Sequence, residues 1–267
     1  METRALKLAA RADMIAEARD IIDLARERGV VLRLYGGLAV RAYCGVIEFC
    51  ARDYSDLDMI GLKAQRVEVR ELFAHLGFTE DYRVAQATMD AQLQFVRPCV
   101  HTNGDAQAHL DDHVDVSLDT FKMDHQIDLK DRLGLDDYTI SATDQLLTKL
   151  QVFRQEDKDV RDALTLFKDV ELGEDEGPGR IGMASIARRC AADWGLHHDV
   201  QANLARCLEQ VPRYALTAAE AARIGDGIAR LQSALETEPK PLRWRARARI
   251  GERLPWHDPV EDQDATG

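Results

Sequence analysis

Residues 30–58 read VVLRLYGGLAVRAYCGVIEFCARDYSDLD, and the order of features along them already dictates an architecture. Val30–Tyr35 is short and rich in β-branched residues, which predicts a strand. It runs straight into Gly36-Gly37, after which Leu38–Cys44 continues as a helix. A second strand follows over Leu57–Gly61, with Asp56 and Asp58 at its start. At i and i+2 on a strand, both carboxylates project from one face of the sheet. Backbone N–H groups at a helix start that no side chain screens form a ready phosphate site. Two carboxylates this close repel one another unless a cation lies between them. Paired hard oxygen ligands suit Mg²⁺, which takes one or two carboxylates and fills its shell with water and substrate phosphates.

Outward from this stretch, Ile15, Ala18, Ile22 and Ala25 recur at helical spacing, and Gly29 stands where a helix C-cap is expected. An amphipathic helix is predicted from about Ala64 to Leu76, stopping at Gly77. Ala91–Val96 and Val114–Leu118 read as two further strands joined by a polar loop that contains Asn103-Gly104. Asp115 stands inside an apolar frame, Val114-Asp115-Val116, where an Asp is costly unless it faces a metal or a partner. Asp119, nearer the strand's end, competes with it for the place of third carboxylate. Three Asp on two strands can hold two metal ions and drive an in-line phosphoryl displacement. Each feature has a plainer reading, since Asp-x-Asp is often a solvated strand end and Gly-Gly a tight turn. It is their order that is uncommon by chance.

Gly36-Gly37-Leu38-Ala39, then Gly45, then Arg52-Asp53-Tyr54-Ser55-Asp56-Leu57-Asp58 resembles the signature of the DNA polymerase beta-like nucleotidyltransferase superfamily. The long gap before Asp-x-Asp and the Arg four residues ahead of it are similar to two branches. These are the aminoglycoside and lincosamide nucleotidyltransferases and the abortive-infection type toxin nucleotidyltransferases. The chain departs from the antibiotic branch at Leu38, Arg41 and Tyr54, where that branch has Trp, Asp and His. Downstream, Ile140–Gln151 followed by Lys158-Asp159 and Asp162 resembles the segment after the core of these small enzymes, so the matched motifs span residues 36–162.

The resemblance implies an α+β fold, a nucleotidyltransferase-type mixed sheet flanked by helices and followed by a C-terminal helical region. It implies that Gly36, Gly37, Arg52 and Ser55 bind the nucleotide, that Asp56, Asp58 and Asp115 hold Mg²⁺ (two ions), and that Lys149 reaches back to the phosphates. Lys149 interrupts the apolar run Leu146, Leu147, Leu150, Phe153, which calls for snorkelling to water or a nearby anion. Asp159 has a simpler role open to it, favouring a helix N-terminus.

The 267 residues are 45% hydrophobic and 31% charged, which excludes a disordered or fibrous chain. The net charge of −12 argues against bulk DNA binding, while leaving room for a local basic pocket. No apolar run is long enough for a membrane span, and the N-terminus carries no secretion signal. Cys44, Cys50, Cys99, Cys190 and Cys207 are odd in number and scattered, which predicts reduced, partly buried thiols and a cytoplasmic setting. The expected organisation is an α/β core over 1–140, a helical region over 141–257 and an acidic, frayed tail over 258–267. Glu171–Arg180 (ELGEDEGPGR) reads as a linker, and His197-His198 as a loop or surface pair. Arg243, Arg245, Arg247 and Arg249 alternate around Trp244; they form one basic face on a strand and spread around a helix. They read either as a solvated face paired with the acidic tail or as a dock for a polyanionic acceptor such as an RNA end.

The expected activity is Mg²⁺-dependent transfer of a nucleoside monophosphate from a triphosphate such as ATP to an acceptor hydroxyl on an RNA end such as tRNA, a protein or a small molecule. The rival is a non-catalytic nucleotide-sensing or partner-binding protein on the same fold.

Overall fold

The computed structural model describes residues 4–5, 11–52, 54–103 and 106–258. Asp53, Gly104 and the tail over 259–267 lie outside them. The elements run β1 (Arg4–Ala5), α1 (Arg11–Glu27), β2 (Leu32–Leu34), α2 (Gly36–Tyr43), β3 (Asp56–Gly61), α3 (Arg66–His75), β4 (Thr79–Glu80), α4 (Tyr82–Ala87), β5 (Gln92–Asn103), β6 (Ala106–Leu118), β7 (Thr120–Lys122) and β8 (Gln126–Asp128). They continue with α5 (Ala142–Leu150), α6 (Asp157–Asp169), β9 (Glu171–Gly173), β10 (Arg180–Gly182), α7 (Met183–Ala192), α8 (Trp194–Gln210), α9 (Ala218–Thr237) and α10 (Leu242–Ile250). The chain forms two compact units: 1–42, 51–121 and 128–140 make the first, and 43–50, 122–127 and 141–267 the second.

The first unit is a mixed sheet in the order β1-β5-β6-β3-β2, with β4 paired to β5, flanked by helices. β3 and β6 are parallel, while β2–β3 and β5–β6 are antiparallel. The sheet's apolar face is set by alternation: Leu57, Met59, Leu93, Phe95, Val114 and Val116 are all buried. Ala18, Ile21, Ile22 and Ala25 of α1 and Val69, Leu72 and Phe73 of α3 complete the same core. β5 and β6 are far longer than the sequence implies. The expected polar loop is ladder up to Asn103 and from Ala106, because backbone pairing across a hairpin holds polar residues as firmly as apolar ones.

In the second unit, Leu146, Leu147, Leu150, Val160, Leu164 and Phe167 pack with the buried faces of α7, α8 and α9. Phe153 lies beyond the end of α5 and is partly exposed, stacked on His257 rather than extending the apolar face. Glu171–Arg180 is no interdomain linker. Its ends form the parallel pair β9–β10, Glu171 against Arg180, inside the second unit. No helix among the described residues is long and apolar enough to cross a membrane.

The expectation of reduced thiols fails at one pair: Cys44 and Cys50 are joined by a disulfide. Two tight turns, Phe49 N–H to Val46 O and Cys50 N–H to Ile47 O, fold residues 44–50 back until the two Cα atoms are 6.6 Å apart. Spacing alone did not show that return. The ground for a cytoplasmic setting goes with it. Cys190 and Cys207 are free and buried, and burial pushes both thiols up to about 12. Peptide mapping after alkylation under denaturing, non-reducing conditions should find Cys44 and Cys50 blocked and Cys190 and Cys207 labelled. Loss of the cross-link in Cys44→Ser should lower unfolding stability by about 2 kcal/mol in a denaturant titration.

Candidate active site

The register of β3 against β6 pairs Asp58 with Asp115 and Asp56 with His113. Paired residues share a face, and i, i+2 residues share it too. Asp56, Asp58 and Asp115 therefore stand on one side of the sheet, all half-buried, with the apolar alternation on the other. β5 adds Gln94, paired with Asp115, whose Nε2 donates to Asp115 Oδ1 at 2.9 Å. Ser55 Oγ donates to Asp56 Oδ2 at 2.8 Å, orienting that carboxylate. Burial pushes the Asp115 carboxyl above the usual range; the Gln94 hydrogen bond opposes this, the Asp56 charge adds to it, and His113 pulls it back down.

Asp119 has a different task. At the end of β6 it adopts a left-handed backbone (φ 65°), and its Oδ1 accepts from Lys63 N–H at 2.9 Å. Its carboxylate closes a turn, whereas Asp115 faces Asp58.

Gly36-Gly37 opens α2 immediately after β2. Gly36 has φ 73°, and a Cβ there would run into the Asp58 carboxylate. The two glycines differ in kind. Gly37 has an ordinary φ, but a Cβ on it would meet the end of the Arg52 guanidinium. Arg52 lies over the Tyr54 ring at 5.0 Å. The start of α2 is thus bordered by a carboxylate on one glycine and a guanidinium on the next. Tyr35, just before them, is buried and bonded through its hydroxyl to Ser117 Oγ at 3.2 Å. Its phenol is driven well above the ordinary value by burial first and by the Asp58 charge second, so it stays protonated.

Lys149 lies in the second unit. Its Nζ is 2.9 Å from Asp162 and 3.4 Å from Asp159, so two carboxylates match its charge there. Asp159 also accepts from Glu156 N–H in a capping box at the start of α6, the plainer role the sequence left open. His197 and His198 sit on α8, not in a loop. His198 is 3.0 Å from Asp199 and 3.1 Å from Glu252, and burial lowers His197 to about 4.

Gln94 and Tyr35 were missed by sequence reasoning. The alternation AQLQFV does put Gln94 on the polar face, but only the β5–β6 register reveals that it meets Asp115. Among the described residues no group of three or more His, Cys, Asp or Glu side chains is spaced to hold a metal by itself. Asp56 and Asp58 as hard oxygen donors still fit Mg²⁺, whose remaining ligands are phosphate oxygens and water.

No protein-family model matches the chain, and no curated protein matches it. Solved structures similar to it include the antibiotic-resistance factor ANT(2'')-Ia, 13% identical with a TM-score of 0.34 over 58% of this chain and 83% of that one. An antigenic nucleotidyltransferase-like protein from Paracoccidioides brasiliensis is 11% identical, with a TM-score of 0.41 over 90% of this chain and 96% of the other. A candidate nucleotidyltransferase from H. pylori is 10% identical, with a TM-score of 0.41 over 89% and 100%. These neighbours are nucleotidyltransferases or nucleotidyltransferase-like proteins. At scores and identities this low, the functional reading rests on the site's own residues.

Two outcomes follow from the geometry. An acid whose folded pKa lies above its unfolded value costs stability as pH rises from the unfolded value, about 3.9, through the folded one, and the cost is full above both. Asp115→Asn should therefore raise the thermal midpoint of the metal-free protein at pH 7, with the gain vanishing below about pH 3.9. Gly36→Ala should cost at least about 1–2 kcal/mol for its left-handed backbone, with the clash against the Asp58 carboxylate added to it. Gly37→Ala should leave the midpoint within a degree or two while displacing Arg52, a contrast that thermal melts of the two variants will show.

Proposed function

We propose that the chain is a nucleotidyltransferase: an acceptor hydroxyl attacks the α-phosphorus of a nucleoside triphosphate, and pyrophosphate leaves. The observation that carries the reading is the placement of Asp56, Asp58 and Asp115 on one face of β3 and β6, with the Gly36-Gly37 start of α2 against Asp58 and the Arg52 guanidinium. Asp56 and Asp58 would hold Mg²⁺, which supplies charge neutralisation at the phosphates when bound. The backbone N–H groups at the start of α2 and the Arg52 guanidinium cradle phosphate oxygens. Ser55 keeps the Asp56 carboxylate aimed. Asp115, with its carboxyl raised by burial, takes the proton of the attacking hydroxyl or binds a second ion. Gln94 holds Asp115 in place for that step.

The acceptor is a hydroxyl on an RNA end such as tRNA, on a protein or on a small molecule. A screen of labelled nucleoside triphosphates with Mg²⁺ against all three classes, followed by pyrophosphate release, tests the reading. Wild type should release pyrophosphate with one acceptor class. Asp58→Asn should reduce release by at least about a thousandfold, roughly 4 kcal/mol in the barrier, while circular dichroism stays unchanged. Asp115→Asn should retain nucleotide binding but transfer nothing measurable, because its contribution comes in the transition state. Tight nucleotide binding with no release under any acceptor would make the protein a nucleotide sensor instead.

A further inference from the structure

The second unit contains a cavity of about 690 Å³ that none of the chemistry above uses. All three tryptophans of the chain, Trp194, Trp244 and Trp256, line it. They come from the start of α8, from α10 and from the segment beyond α10, and each is half-buried. The indole N–H groups of two of them are anchored. Trp244 Nε1 donates to Cys190 O at 3.1 Å, and Trp256 Nε1 donates to Asp199 at 2.9 and 3.1 Å. Asp199 is buried, and it also accepts from His125 Nε2 at 2.7 Å and His198 Nδ1 at 3.0 Å. Anchoring through the ring edge fixes how Trp244 and Trp256 stand, and their apolar rings form part of the cavity wall.

α10 turns out to be a helix, so its arginines spread around it, and Arg243 and Arg247, at i and i+4, line the cavity together. Arg247 is committed: its guanidinium lies 4.5 Å over Trp194 and donates to Gly251 O and Leu254 O at 2.6 and 2.8 Å. Arg243 is exposed and has no hydrogen-bond or ion-pair partner among the described residues. The acids at the cavity are all engaged. Asp124 accepts from Phe153 N–H at 2.9 Å and lies 3.5 Å from His257. Asp193 caps α8 through Gly195 and Leu196, and Asp258 pairs with Lys122 at 3.2 Å. Arg243 is thus the guanidinium at the cavity left without a partner among the described residues, and it stands beside the aromatic walls.

We propose that this cavity binds a nucleotide unit, with the planar base against the tryptophans and the phosphate on Arg243. Bases stack on aromatic faces whatever their identity, and a guanidinium pairs with phosphate through a charge-assisted fork. The cavity is of the size that small-molecule sites take, about 300–1,000 Å³. A free mononucleotide and a unit of a single-stranded RNA share this chemistry. The site does not depend on the triphosphate reading of the first unit.

Every indole of the chain lies at this cavity, so tryptophan fluorescence reports on it directly. The full chain is titrated in EDTA, without Mg²⁺, with AMP, with a single-stranded trinucleotide RNA, with adenosine and with inorganic phosphate. AMP and the trinucleotide should quench saturably, adenosine should bind at least about fivefold more weakly, and phosphate alone should not quench. Arg243→Gln should weaken AMP by at least about fivefold and Arg243→Lys by less, with unchanged circular dichroism. Gly37→Val should leave the quenching curve where it is, which separates this cavity from the start of α2. Tighter binding of the trinucleotide than of AMP marks a strand as the ligand, and equal binding marks a mononucleotide. Absence of saturable quenching at millimolar ligand, an Arg243→Gln curve equal to wild type, adenosine binding as well as AMP, or loss of quenching in Gly37→Val would each overturn the proposal.

Discussion

Asp58 and Asp115 face one another across the parallel β3–β6 pair, with Asp56 one pleat away. Like charges in adjacent register positions repel, and half-burial reduces the water that would screen them. The surroundings are organised around that cost. Gln94 and Ser55 donate to two of the carboxylates, and Gly36 gives up its side chain where Asp58 approaches α2. A slip of one residue would carry the acids into the layer occupied by Met59, Val114 and Val116. The apolar alternation of both strands thus enforces the alignment that the charges oppose.

Carboxylates held together against their own repulsion form a site that gains by receiving a cation, and with it the phosphates that a cation brings. That is the physical ground on which the transferase reading stands. The guanidinium of Arg52 against Gly37 belongs to the same logic, because it puts positive charge beside backbone N–H groups at a helix start. In the second unit the buried hub is a different carboxylate. Burial works to raise Asp199, but hydrogen bonds from His125, His198 and Trp256 outweigh it and hold the group below its ordinary range. One ionised oxygen pair thereby ties α8 to the chain before α5 and after α10, and fixes the wall of the aromatic cavity.

Much of this was legible in residue order. The helix over Ile15–Ala25 ending at Gly29, the strand–Gly-Gly–helix passage and the Asp-x-Asp strand all appear where periodicity and turn chemistry place them. Errors fell where structure depends on pairing between distant segments. Residues 97–103 and 106–112 look like a loop because their composition is polar, yet a hairpin ladder needs only backbone groups. Glu171–Arg180 has a linker's composition but closes on itself as β9 and β10.

Local patterning by itself determined the mixed α and β character, the helical second half, the placement of Asp56 and Asp58 on one face of a strand, and the turn at Gly36-Gly37. These follow from spacing along one strand or one helix, which a linear chain encodes directly. Tertiary structure alone decided the rest. It set Asp115 rather than Asp119 opposite Asp58, added Gln94 and Tyr35, bent residues 44–50 back into a disulfide, matched Lys149 with Asp159 and Asp162, and gathered three tryptophans from three segments around one cavity. Each of those outcomes rests on register or on packing between segments far apart in sequence, which residue spacing does not carry.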